Sequence, residues 1–119
     1  MKQQYQHCAT AAGALQVRVA KSFLSRALGL LVGAPLQPGE GLLISPCSSI
    51  HTLGMRYPID VVFLDRDGCV MRVYRSVQAG RLRFGLGARG VLELCAGAAA
   101  THGLTPGVRL SELARSLAG

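Results

Sequence analysis

The chain has 119 residues, half of them apolar, and carries 13 Lys and Arg against 6 Asp and Glu, a formal charge of +7. A chain of this length forms one domain and buries roughly two thirds of the surface its unfolded form exposes, which excludes disorder and makes folding possible without a cofactor. No run approaches the ~20 apolar residues of a membrane span, and MKQQYQHCATAAGALQV lacks the unbroken apolar core of a secretory signal, so a cytoplasmic location is expected.

Residues 1–13 read as a partly disordered N-terminal tail, 14–111 as a single domain and 112–119 as a C-terminal tail, frayed or helical behind Ser111. In ALQVRVA, Leu15, Val17 and Val19 alternate with Gln16 and Arg18, which predicts a first strand with one wet face. Ser22 then caps a predicted helix over about 22–32, its stripe formed by Phe23, Leu24, Ala27, Leu28 and Leu31 and its end marked by Gly33 and Pro35. After the turn-rich APLQPGEG come GLLIS, SSIHTLGM, PIDVVFLD, CVMRVYRSV and GVLELCA, five short strand candidates separated by Gly, Pro or Asp. DRDG joins two of them as a hairpin, which makes Asp65 and Asp67 turn residues and not calcium ligands. A short helical turn is expected near 97–103. The predicted fold is therefore mainly β, a small antiparallel sandwich or barrel with one early helix.

Several of these segments resemble the DUF192 family, also called UPF0127, of small uncharacterised bacterial and archaeal proteins. The resemblance runs from about Leu15 to Leu110 and is carried by Arg26, Gly29 and Leu30 in RALGLL, by Gly41 and Leu42 in GEGLL, and by His51, Thr52, Gly54 and Met55 in HTLGM. PIDVVFLD with Gly68, LELCAG, Gly103 and Gly107 complete it. It implies a compact β-rich fold with an early helix and supplies no function. Where many members have a Trp-Met-Lys-Asn-Thr segment this chain has HTLGMRY, and Val108 follows Gly107 where Asp is more usual.

Two of the six acids sit inside the two most apolar strands. Asp60 lies in PIDVVFL and Glu93 in VLELCA, where an unpaired carboxylate would cost several kcal/mol. Arg26, His51 and Arg56 are the candidate partners, with backbone N–H groups as the alternative for Asp60. Two readings follow: buried ion pairs that fix register, or a polar pocket for a small ligand formed by Arg26, His51, Met55, Asp60 and Glu93. An enzyme using His51, Asp60 and Glu93 is the rival class, although no residue set identifies a reaction. Metal binding is not expected. Cys47 and His51 would be about 13 Å apart on a strand, and zinc wants tight pairs; the same spacing argues against a Cys–His nucleophile. The four scattered cysteines read as free thiols. Finally, Arg72, Arg75, Arg81 and Arg83 interleave with Tyr74 and Phe84, which gives a third reading, non-specific nucleic-acid binding, beside that of a solvated sheet edge. The expected partner is thus an unknown small molecule or protein, with nucleic acid as the alternative and no cofactor.

Overall fold

The computed structural model describes residues 4–20, 36–52 and 55–118. Among these residues eight strands run in chain order as β1 (Gln4–Thr10), β2 (Gly13–Ala20), β3 (Glu40–Ile44), β4 (Ser49–His51), β5 (Ile59–Leu64), β6 (Val70–Val77), β7 (Leu82–Phe84) and β8 (Gly90–Cys95). A short helix α1 (Ala98–Thr101), a 3-10 turn (Ser111–Leu113) and a helix α2 (Ala114–Ala118) follow. The predicted helix over 22–32 lies outside the described residues.

Six strands form one sheet in the order β1-β2-β3-β8-β5-β6, and β4 with β7 form a separate two-stranded ribbon. The chain is mainly β, as the alternation and turn signals predict, and the sheet is not closed into a barrel. The pairing corrects the antiparallel expectation in one place: β2 and β3 run parallel, from Gln16 opposite Glu40 to Ala20 opposite Ile44. Parallel neighbours need a long connection, and residues 21–39 separate these two strands in the sequence.

The two strands holding the puzzling acids are central, with β8 between β3 and β5 and β5 between β8 and β6. All six β5 residues are buried. That explains their unbroken apolar runs, since a strand covered on both faces has no polar side to alternate with. On one face Leu15, Val17, Leu43, Val62, Leu64, Leu92 and Leu94 pack under Ala98 and Ala99 of α1 and under Leu104, Leu110, Leu113 and Leu117. On the other, Leu42, Ile44, Ile59, Val61, Phe63 and Val91 pack under the ribbon's Ile50 and under Met55.

The DRDG hairpin forms as expected. Asp65 Oδ1 accepts from the N–H groups of Asp67 at 2.9 Å and Cys69 at 3.0 Å, and Gly68 holds φ +85°, where a Cβ would collide with the Leu110 carbonyl oxygen. Residues 4–10 pair with β2 along their whole length, and near the other end Leu113 and Leu117 are fully buried.

Candidate functional site

Asp60 is wholly buried, and its position is settled by a β-bulge. The β5–β6 register slips between Ile59, opposite Val77, and Val61, opposite Tyr74. The extra β6 residue is accommodated with Ser76 at φ +49°, a region that costs a non-glycine residue energy unless something holds it. What holds it is Asp60, whose Oδ1 accepts from the Ser76 N–H at 2.8 Å. Its Oδ2 accepts from the N–H groups of Gly97 at 3.1 Å and Ala99 at 3.0 Å. These groups open α1, whose N-cap residue, Gly97, has no side chain to offer. A carboxylate from across the sheet therefore does what a local Ser or Asp ordinarily does at a helix start. Of the partners weighed for Asp60, the backbone N–H groups are the ones it uses.

Glu93 is equally buried but lies on the opposite face. Asp60 pairs with Leu94 and Val61 pairs with Glu93, and successive side chains on a strand point to opposite sides. Asp60 therefore shares its face with Val62 and Leu64, Glu93 with Val91 under the ribbon. Met55 is buried in that second core. His51 is half-buried on β4, opposite Leu82 of β7, on the ribbon face that Ile50 leaves free. Arg26 lies outside the described residues. Of the described residues expected to form one polar pocket, Asp60 thus lies on one face of the sheet and Met55 and Glu93 on the other.

Thr52 anchors the ribbon. Its hydroxyl donates to the Gln78 carbonyl at 2.6 Å and accepts from the Arg81 N–H at 2.9 Å, while its own N–H donates to the Arg81 carbonyl at 2.9 Å. The loop is thereby pinned where β7 begins. β7 then runs close over the sheet, because Gly85 sits where any Cβ would overlap the Phe63 ring.

This placement leaves a margin of arginine and uncovered apolar side chains. Arg83, paired with the buried Ile50, turns inward and lays its guanidinium 5.3 Å from the Tyr74 ring centre. Arg72 approaches the same ring at 5.6 Å and donates to the Tyr74 hydroxyl at 2.9 Å. That ring meets Phe63 edge-on, with centroids 6.1 Å apart. Leu82 and Phe84 alternate with Arg83 and so face away from the sheet; each is 60% exposed, and Leu86 beyond them is 97% exposed. Met71 is exposed on β6 and reaches toward Gly87. Arg75 on β6 and Arg81 just before β7 are exposed as well. Nearby, Ser48, Asp65, Arg66, Gly87 and Arg89 line an open hollow of about 480 Å³.

A family model for DUF192, described as uncharacterized ACR, matches residues 6–111. The chain belongs to the DUF192 family. Two solved structures share the fold. A protein of unknown function from Novosphingobium aromaticivorans DSM 12444 is 22% identical with a TM-score of 0.74, covering 90% of this chain and 83% of its own. A Sinorhizobium meliloti 1021 protein described as a "putative transcription regulator" is 23% identical with a TM-score of 0.75, covering 91% of this chain and 92% of its own. No curated protein matches the chain.

Within this DUF192 domain the cysteines are free thiols. Among the described residues no three His, Cys, Asp or Glu side chains gather as a metal site would require, and no helix is long and apolar enough to cross a membrane. Burial, and secondarily the charge of Glu112, pushes the Cys8 thiol up to about 12. Burial also raises that of Cys95, with the Asp60 carboxylate adding to it. Neither thiol is an activated nucleophile. Sequence reasoning did not single out Thr52 for a role, although it stands in the HTLGM motif, nor Leu82 and Leu86, the exposed apolar neighbours of Phe84. For the latter the signal was present in LRFGL, apolar residues alternating with Arg and then Gly in a segment too short to read as a strand.

Proposed function

We propose that this DUF192 domain is a binding module whose working surface is the β6–β7 margin, and that its partner is a protein segment with acidic and apolar residues. The observation that carries this reading is the exposure of Leu82 and Phe84 on β7 and of Leu86 just beyond it, with exposed Arg81 before them and exposed Arg72 and Arg75 on the neighbouring β6. Single exposed apolar residues are ordinary, but a run of three bordered by arginine has the composition of an interface, where aromatic residues, Met and Arg are enriched. The margin repels a second copy of itself, because arginine would face arginine. Asp60 spends both oxygens on backbone donors, which favours the margin over a centre built on its carboxylate.

A second reading puts single-stranded nucleic acid on the same margin. The net charge of +7 supports it, as does the description of the Sinorhizobium relative. Against it, Tyr74 is already covered by Arg72 and Arg83, which leaves Phe84 as the stacking platform there, and stacking proteins use several. Fluorescence anisotropy with two probes tests the choice: a labelled peptide alternating Glu with Leu and Phe, and a labelled mixed-sequence single-stranded DNA. The peptide is expected to bind and to be lost on Phe84→Ser. DNA binding that disappears steeply with salt and is indifferent to Phe84 would transfer the surface to the second reading. Binding of neither probe would overturn both.

A further inference from the structure

A polar pair outside the β6–β7 margin lies at the tip of the β1–β2 hairpin. His102 closes α1 as its C-cap residue and is only 6% exposed. Its Nε2 lies 3.2 Å from the carbonyl oxygen of Pro38. A carbonyl can only accept, so Nε2 carries the proton and, in the neutral ring, Nδ1 carries the lone pair. Nδ1 is 2.6 Å from Thr10 Oγ1, 92 positions away in sequence, so the Thr10 hydroxyl donates to it. The result is a hydroxyl, a base that accepts from it, and a third group that fixes the tautomer of the base.

This pair is not sealed in the core. Thr10 and His102, with Ala11, Leu104, Val108 and Leu110, line a cavity of about 350 Å³. An otherwise apolar hollow with one convergent polar pair is the usual form of a small-molecule site. Glu112, whose carboxylate reaches the neighbouring Ala9, is exposed and accepts from the Ala9 N–H at 2.9 Å.

We infer that this cavity is a site for a small carboxylic ester with an apolar acyl group, with Thr10 as acyl acceptor and His102 as its base. Thr10 Oγ1 bonds to the ester carbonyl carbon as its proton passes to His102 Nδ1. The ester C–O bond then breaks, and the departing alcohol oxygen takes that proton, leaving the acyl group on Thr10. Water, giving a proton to Nδ1, attacks the acyl carbon; the carboxylic acid leaves and the proton returns to Thr10. Throughout, the Nε2–H stays on the Pro38 carbonyl and holds the ring in place.

The test uses the full chain with p-nitrophenyl acetate. Peptide mass spectrometry after brief exposure is expected to find one acetyl group on Thr10, and p-nitrophenol release is expected to fall about 100-fold in Thr10→Val and in His102→Gln, the order assigned to one positioned proton acceptor. The two together should fall no further than either alone, because they act as a unit. Thr10→Ser, which keeps the hydroxyl, should retain turnover. Acetylation confined to lysine, cysteine or the N-terminus of the parent protein would overturn the inference whether or not the variants fold. So would folded Thr10→Val releasing p-nitrophenol at the parent rate, which would leave the pair a structural tie between β1, α1 and the turn leading into β3.

Discussion

Asp60 and the arginines of the β6–β7 margin put charge to opposite uses within the same pair of hairpins. Asp60 is shut away from water with each oxygen committed to backbone N–H groups, so its charge is consumed in holding a bulge and a helix start. The exposed arginines stand beside uncovered Leu82, Phe84 and Leu86, so their charge is available to something outside the chain. A polar residue in an apolar strand is thus a poor guide to function when backbone donors converge on it. Apolar residues left exposed among charges are the better guide.

The sharpest way to break this contrast is at Asp60. Asp60→Ala leaves three N–H groups without their acceptor, that of Ala99 buried and those of Ser76 and Gly97 partly buried, and is expected to cost about 3–5 kcal/mol in a denaturant melt. Asp60→Asn keeps one acceptor oxygen and should cost less, about 1–3 kcal/mol, because an amide N–H₂ then faces N–H donors on one side. An Asp60→Ala protein as stable as its parent would return Asp60 to the candidate ligand residues. A smaller effect is expected at Gly85, where a methyl group meets the Phe63 ring. Gly85→Ala should destabilise by about 1–3 kcal/mol and, by lifting β7 from the sheet, should lower the protection of Tyr74 fluorescence from quenchers. At the margin itself, Arg75→Glu with Arg81→Glu should leave the melt within about 0.5 kcal/mol of the parent while abolishing binding of the acidic peptide. A large loss of stability there would mean that these charges serve the fold after all.

The smallest effect concerns pH. The Ala9 N–H bond, helped by the backbone N–H of Glu112 and by Ser111, holds the Glu112 carboxyl below its ordinary 4.5. A group depressed in the folded state binds fewer protons there than when unfolded, so its contribution is present above about 4.5 and is lost as pH falls through the folded value. In Glu112→Gln the stability profile below pH ~4.5 should be slightly flatter than in the parent; an unchanged acid limb would show that the Ala9 contact adds nothing in solution.

The strands that carry the core were legible because their runs are long and apolar. GVLELC and IDVVFL were read to within a residue or two of β8 and β5, and the turn chemistry of DRDG placed the hairpin between β5 and β6. What escaped has a physical pattern. β1 is an edge strand whose QYQHCAT has one fully buried side chain, Cys8, so it carries almost no periodic signal. β7 is three residues long, below the length at which alternation can be told from chance. The parallel pairing of β2 and β3 is invisible because orientation depends on a crossover and not on either strand's own residues. For the candidate site, the arginines and Phe84 could be read from composition. The division of Asp60 and Glu93 between two faces could not, since it depends on the β5–β8 register, and the Thr10–His102 contact depends on which loops meet.

Asp60 also joins three segments that are distant in sequence: β5, the bulge in β6 and the first turn of α1. A helix of four residues has too few internal bonds to persist alone, and a bulge with a residue at positive φ relaxes once released. Neither element can therefore open separately without first parting from a carboxylate in the middle of the sheet. The amide hydrogens of Ser76, Gly97 and Ala99 should in consequence exchange with solvent deuterium at one common rate, matching that of central β5 amides and set by opening of the whole sheet.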